Sequence, residues 1–250
     1  MHMQRDSYTK YISISDRIDV TDSYAAVVDK EVAVISDIHL GFEEVLNSYG
    51  VSVPPFEAKG NLQKLKNLAE NWKLKKIILN GDFKHDFGKN TKSEWNEIGE
   101  FIAYIKSYVD EIILIRGNHD NFLKTIAKKH GLDVVDSYEI NGISIIHGDK
   151  DKGIYENVII GHEHPSITLR DEIGAEYAMP SYIYYKAENI LILPAFSIWT
   201  YGTDVLTHEF TSIVLSHVEH DRGEVYGIYE GGVIYMSNIQ RLKETMFRMK

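Results

Sequence analysis

The chain contains no cysteine. That excludes a disulfide framework and a thiolate metal site, so any metal must be held by His, Asp, Glu, Asn or water. Long hydrophobic runs are also missing. The longest apolar stretches, such as residues 112–115, are far shorter than a bilayer span, and the N-terminus lacks the basic-then-apolar pattern of a signal peptide. A cytoplasmic protein with no membrane association is expected. Basic residues are in deficit, with 27 Lys and Arg against 37 Asp and Glu for a net charge of −10. Grooves that track many phosphates neutralise them with clustered Lys and Arg, so an extended polyanion is a poor partner here. No linker rich in Pro, Gly or Ser, no internal repeat and no low-complexity segment interrupts the chain.

What is present is ordinary globular composition, 44% hydrophobic and 26% charged over 250 residues, enough to bury a substantial core. Met1-His2-Met3 is set aside as an expression remnant. From residue 32 to 160 short apolar runs alternate with segments of helical period, the signature of layered strands and helices. Strands are expected at 32–36, 76–80, 111–115, 143–146 and 158–160. Leu62, Leu65, Leu68 and Trp72 share one helical face, and Trp95, Ile98, Phe101, Ile102 and Ile105 share another. A third helix starts just after Asp120 and ends near Gly131, with Leu123, Ile126 and Ala127 inward. After Pro165 the chain is β-rich, with strands expected at 182–185, 190–193, 213–215, 225–229 and 233–235. The fold class is therefore α/β, a four-layer αββα sandwich of two mixed β-sheets flanked by helices. Residues 1–250 are read as a single domain, with a motif-bearing part at 32–164 and a completing β-rich part at 165–240.

Five short segments each follow a strand: Asp37-Ile38-His39, Gly81-Asp82, Gly117-Asn118-His119-Asp120, His147, and Gly161-His162-Glu163-His164. Each fragment is weak by itself. Even Gly-Asn-His-Asp arises by accident on the order of once in several hundred chains of this length. Their order and common placement carry the signal, because ligands gather outside the carboxyl ends of strands in open α/β sheets. Four histidines, two aspartates and one asparagine supply a carboxylate to bridge two ions, imidazoles to fill their shells, and room for water and substrate oxygens. Such a donor set suits Mn²⁺, with Fe²⁺ or Zn²⁺ as alternatives, better than Mg²⁺. Two dications add four positive charges locally and would draw a phosphate despite the acidic surface.

The pattern resembles the calcineurin-like metallophosphoesterase superfamily over residues 36–164. The resemblance implies that Asp37, His39 and His164 bind one metal, that Asn118, His147 and His162 bind the other, and that Asp82 bridges them. It also implies that His119 is catalytic, supporting the leaving oxygen while a hydroxide between the metals attacks phosphorus. Ser36-Asp37-Ile38-His39-Leu40-Gly41 and Gly81-Asp82-Phe83-Lys84-His85-Asp86-Phe87 are most similar to motifs of the Mre11/SbcD-related archaeal phosphoesterases and the DNA-ligase-associated group. By that resemblance His85 orients substrate or supports His119, and Leu193-Pro194-Ala195-Phe196 matches a segment these relatives carry after the last motif. Protein phosphatases instead place Asp-Arg-Gly after the bridging aspartate and have Gly-Asn-His-Glu, so that branch is disfavoured. The short β-rich tail, where larger nucleases carry a DNA-capping region, points to short substrates.

The expected function is a metal-dependent phosphodiesterase acting on nucleotides or short DNA or RNA ends. The alternatives are a small-metabolite phosphomonoesterase and a non-catalytic interaction scaffold of the same fold. Scaffold relatives tend to lose the catalytic histidine, and His119 is present. A homodimer stays open, as does a DNA-repair protein partner, the latter from resemblance alone. Elsewhere plainer readings hold. Asp120 is expected to cap the following helix, and His130 to sit as a cation at a helix C-terminus. His208, His217 and His220 are read as surface residues. Arg116 either touches phosphate or makes an ion pair, and Tyr182, Tyr184 and Tyr185 pack in a sheet more readily than they stack on a base.

Overall fold

The computed structural model describes residues 9–53, 56–84, 92–120, 123–150, 153, 155–170, 173–200, 202–229 and 231–248. Among them, one sheet runs in spatial order through Tyr11–Ser13 (β1), Ile18–Thr21 (β2), Ala26–Val28 (β3), Val32–Ile35 (β4), Lys76–Asn80 (β5), Glu111–Ile115 (β6) and Val134–Val135 (β7). β1 to β4 are antiparallel, and β4 to β7 are parallel. Parallel neighbours need crossovers. Phe42–Ser48 (α1) and Glu57–Asn71 (α2) join β4 to β5, Lys92–Lys106 (α3) joins β5 to β6, and Leu123–Lys129 (α4) leads to β7.

The second sheet comprises Ser137–Ile140 (β8), Ile143–Ile146 (β9), Val158–Ile160 (β10), Pro165–Arg170 (β11), Glu176–Tyr185 (β12), Ile190–Ile192 (β13), Thr203–Asp204 (β14), Glu224–Tyr229 (β15) and Gly232–Asn238 (β16). Its order is β14-β11-β12-β13-β10-β9-β8, with β15 also pairing β12 and β16 pairing β15. β9, β10 and β13 are mutually parallel, and most of the remaining pairs are antiparallel.

Period-two alternation assigns each strand residue to a layer. Ala33, Ile35, Ile77, Leu79, Ile112 and Leu114 pack against Leu65, Leu68, Ile98, Phe101 and Ile102 of the helices. Val34, Ile78 and Ile115 point the other way and meet Ile143, Ile145, Ile159, Leu191 and Tyr182 of the second sheet. Both faces of the first sheet's parallel strands are covered, which is why their sequences are almost unbroken apolar runs. The outer face of the second sheet, through Ile146, Val158, Ile160, Ile190 and Ile192, is covered by Val205, Val214, Leu215 and Ile239. That fourth layer is thin, built from two 3₁₀ turns and the terminal helix Ile239–Arg248 (α5).

One expectation for the β-rich part fails. Ile213–Leu215 is a 3₁₀ turn with Ile213 exposed and Val214 and Leu215 buried. Its preceding Ser212 amide is taken by the Glu163 carboxylate rather than by a strand, and β-branched composition alone does not make a strand without a ladder partner. α5 follows β16 directly, beyond the last strand expected at 233–235. His130 does lie past the end of α4, but burial and the nearby Lys106 and Lys129 lower its pKa, so it is not held as a cation. His208 is exposed, whereas His217 and His220 are half-buried, and His220 Nε2 donates to the Val205 carbonyl at 2.8 Å. No helix among the described residues is long and apolar enough to cross a membrane.

Candidate metal centre

The carboxyl ends of β4, β5 and β6 lie on one edge of the first sheet, and those of β9 and β10 on one edge of the second. The two edges meet. Asn80, the last residue of β5, donates its side-chain amide to the carbonyl of Ile146, the last residue of β9, at 2.8 Å. Beyond β4 and β5 the ladder continues into the loops: the amides of Asp37, His39 and Leu40 donate to the carbonyls of Gly81, Asp82 and Phe83 at 3.1, 2.9 and 3.0 Å. Within this extension Asp37, His39 and Asp82 adopt left-handed backbone, with φ of 58°, 51° and 47°, as do His162 and His164 at 67° and 45°. Such conformations cost side-chain-bearing residues about 1–3 kcal/mol each and persist where the surroundings over-determine them. They let Asp37 and His39 share one side of the turn while Ile38 is buried in the helix-facing core.

Two groups of donors result. Asp37, His39 and His164 form one, and Asp82, His147 and His162 the other, with the donor atoms of each within 4.8 Å of one another. Asp37 Oδ1 and His164 Nε2 lie 2.9 Å apart, yet both are buried and neither has a hydrogen-bond partner of proper geometry. Two orphaned donors aimed at common space suit a cation. Asp82 stands between the groups. Its Oδ2 is 3.4 Å from His147 Nε2 and 3.8 Å from His119 Nε2, and its Oδ1 accepts the His119 amide at 2.8 Å. Asn118 Oδ1 is 3.2 Å from His147 Nε2. The His119 ring meets His39 edge-on, with centroids 5.1 Å apart. The structure thus brings Asp37, His39, Asp82, Asn118, His119, His147, His162 and His164 together; His85 lies outside the described residues.

Charge balance explains the protonation pattern. Burial would raise the Asp37 carboxyl, but His164, His147 and His39 together outweigh it and hold the group well below the usual carboxylate range. Burial likewise opposes ionisation of Asp82, and His147 overcomes it. Burial drives His39 down to about 3, so its imidazole is neutral. His147 is pushed up to about 10 because Asp82 and Asp37 outweigh burial, and Asp37 raises His164 in the same way. Without a cation, the carboxylates favour the protonated form of both imidazoles.

Several supporting residues carried no signal in the sequence. The Asn80 carbonyl accepts from His147 Nδ1 at 3.0 Å and from Ser36 Oγ at 2.6 Å. A carbonyl only accepts, so Nδ1 keeps its proton, and Nε2, once its own proton is released, is the atom that can bind a cation. The Asp120 carboxylate reaches backward, accepting from Gly117 at 2.8 Å and Phe83 at 2.9 Å. It thereby ties the Asp82 loop to the Gly-Asn-His-Asp turn, a larger role than the helix cap expected of it. Gly117 is required by close approach, since a Cβ there would lie 2.2 Å from Asp82 Oδ1 and 2.3 Å from the Asp82 amide nitrogen. Glu163, between the two histidines of its motif, turns away and accepts from Thr211 and Ser212.

The segment after β13 lies against the first motif. Phe196 and Ser197 donate their amides to Ser36 and Asp37 at 2.8 and 3.1 Å. Tyr182, Tyr184 and Tyr185 are buried, and their hydroxyls bond to Thr21, Asn189 and His220, so they pack the sheet and face no substrate. Arg116 is exposed and forms no ion pair among the described residues.

Two adjacent sulfur-free donor groups suit a pair of divalent cations, the arrangement that two-metal phosphoester hydrolysis uses. The chain belongs to the calcineurin-like phosphoesterase family, which it matches over residues 30–226. Among solved structures, the nuclease MPE of Pseudomonas putida is similar with a TM-score of 0.67 and 20% identity, covering 92% of this chain and 100% of that one. The two share a fold. Vps29 of Chaetomium thermophilum matches at a TM-score of only 0.30 and 10% identity, over 82% of this chain and 93% of its own, too loosely to bear on the site. No curated protein matches the chain.

Proposed function

We propose that this phosphoesterase is a phosphodiesterase of nucleotides or short nucleic-acid ends that works with two divalent cations, Mn²⁺ foremost and Fe²⁺ or Zn²⁺ as alternatives. The observation that carries the reading is the pair of donor groups meeting at Asp82 with His119 fixed beside them. Asp37, His39 and His164 would hold one cation, Asn118, His147 and His162 the other, and Asp82 both. Bound there, the cations supply positive charge that draws phosphate oxygens and activates water. His119, half-buried and anchored by its own amide on Asp82, donates a proton to the departing oxygen. Asn80 and Ser36 fix the His147 ring, and Asp120 fixes the turn that carries Asn118 and His119. A diester brings one negative charge fewer than a monoester dianion, which suits a chain of net charge −10. The fold shared with a nuclease agrees with a nucleic-acid substrate. Residues 1–250 act as one domain in this reading, and the protein works in the cytoplasm.

The test compares hydrolysis of bis-p-nitrophenyl phosphate and p-nitrophenyl phosphate by metal-stripped protein with and without Mn²⁺. His119→Ala is the control, with metal content measured in parallel. Faster diester cleavage that needs Mn²⁺ and His119 is expected, with His119→Ala keeping its metal. Preference for the monoester would favour a small-metabolite phosphatase, and cleavage of neither by metal-loaded protein would favour a scaffold.

A further inference from the structure

The loop between Ser197 and Thr203 is tied at both ends to the backbone of the first donor group. Ser197 donates its amide to the Asp37 carbonyl at 3.1 Å, and Thr203 donates to the His164 carbonyl at 2.8 Å. Ile198, Trp199 and Thr200 therefore follow directly on the contact with the first donor group. Within the loop, Trp199 is half-buried and its indole Nε1 donates to Glu43 Oε1 at 3.1 Å. The same carboxylate oxygen accepts the amides of Phe56 and Glu57 at 2.7 and 2.8 Å. One side chain of α1 thus gathers the loop and the start of α2 beside the first motif. The gathering leaves Phe56 57% exposed and ties the Trp199 indole N–H to Glu43.

We propose that Trp199 and Phe56 form an aromatic rim that receives the nucleobase of the substrate, with Glu43 as its positioning residue. The inference rests on the phosphodiesterase reading and names the organic part of the substrate. The charge around the rim selects what binds there. Glu43 is acidic, so a second phosphate is repelled, whereas an uncharged planar ring is not. Stacking on an aromatic side chain does not depend on the identity of the base and needs no basic groove. That is the form of affinity open to a protein with an excess of acidic residues. Tyr182, Tyr184 and Tyr185 are closed to this role by burial.

Binding is measured by calorimetry on Mn²⁺-loaded protein with two probes that share a phosphorylated sugar, thymidine 5′-phosphate and 2-deoxyribose 5-phosphate. Wild-type protein is expected to prefer the nucleotide by about tenfold or more, in the range of one stacked base. Trp199→Ala and Phe56→Ala should each erode that preference, Trp199→Phe should restore part of it, and Glu43→Ala, which removes the acceptor of the indole N–H, should weaken it by freeing the ring. Equal affinity for the two probes in wild type, or a preference untouched by both alanine variants, overturns the rim. Turnover of bis-p-nitrophenyl phosphate is followed separately. Nucleotide preference without turnover refutes the phosphodiesterase while supporting the rim, and turnover without preference does the reverse.

Discussion

Glu57 opens α2 with its side chain almost wholly enclosed and neither carboxylate oxygen in hydrogen-bond geometry with a partner. Burial first, and then the negative charge of Glu43, push its pKa from 4.5 to about 8, and the nearby amides of Glu43 and Phe42 ease the shift only in part. The folded state keeps this proton up to about pH 8, while the unfolded chain releases it near 4.5. Between those values the unfolded state binds fewer protons, so stability falls as pH rises. At about 1.36 kcal/mol per pH unit, the cost reaches about 3 kcal/mol at pH 7 and about 5 kcal/mol above pH 8. Glu57→Gln carries no such cost and keeps the backbone amide that bonds to Glu43. Urea unfolding of wild type and variant at pH 5, 6, 7 and 8 should show the variant's advantage growing steadily with pH. A difference that stays flat across that range refutes the assignment of a buried, neutral carboxyl.

Gly117→Ala should lose about 2 kcal/mol or more of stability, since its Cβ would meet the Asp82 backbone and not a flexible chain end; thermal melts and Mn²⁺ stoichiometry check this, and a variant binding two ions normally would contradict it. Mn²⁺ binding at pH 8 should release protons, because His147 holds one up to about pH 10 and ligation requires neutral imidazole. Apparent affinity should then rise about tenfold per pH unit for each proton displaced, as read by calorimetry in buffers of different ionisation enthalpy, whereas zero release would exclude a charged His147. Asn80→Ala should cost about 1–3 kcal/mol by leaving the buried Ile146 carbonyl without its donor, and it should weaken metal binding through the loosened contact between the sheets. Urea unfolding and Mn²⁺ titration test the two effects separately.

The five motif strands and the three crossover helices were legible because both faces of the strands and one face of each helix are apolar. Burial writes itself into sequence as periodicity. β1 to β3 were missed because they are short, and Asp19 and Thr21 are buried polar residues within them that break the apolar run. α5 was missed because only part of its surface is buried, leaving Gln240, Arg241 and Lys243 to dominate its composition. The reading of 213–215 as a strand failed because nothing in three β-branched and aliphatic residues reveals whether a neighbouring strand exists.

Of the candidate site, the sequence by itself determined the donors. Cation ligation draws on a small set of side chains with lone pairs to offer, among them His, Asp and Asn, so these residues stand out at strand ends. Only the tertiary structure decided how they are held. The left-handed turns at Asp37, His39, Asp82, His162 and His164 are backbone conformations, and the Asn80 tie between the sheets and the Asp120 brace find their partners in backbone groups that every residue possesses. The Trp199 and Phe56 rim is likewise made by Glu43, which joins segments more than a hundred residues apart. Side-chain chemistry is local and can be read from a sequence; which backbone amides and carbonyls meet depends on the packing of two sheets that share one core.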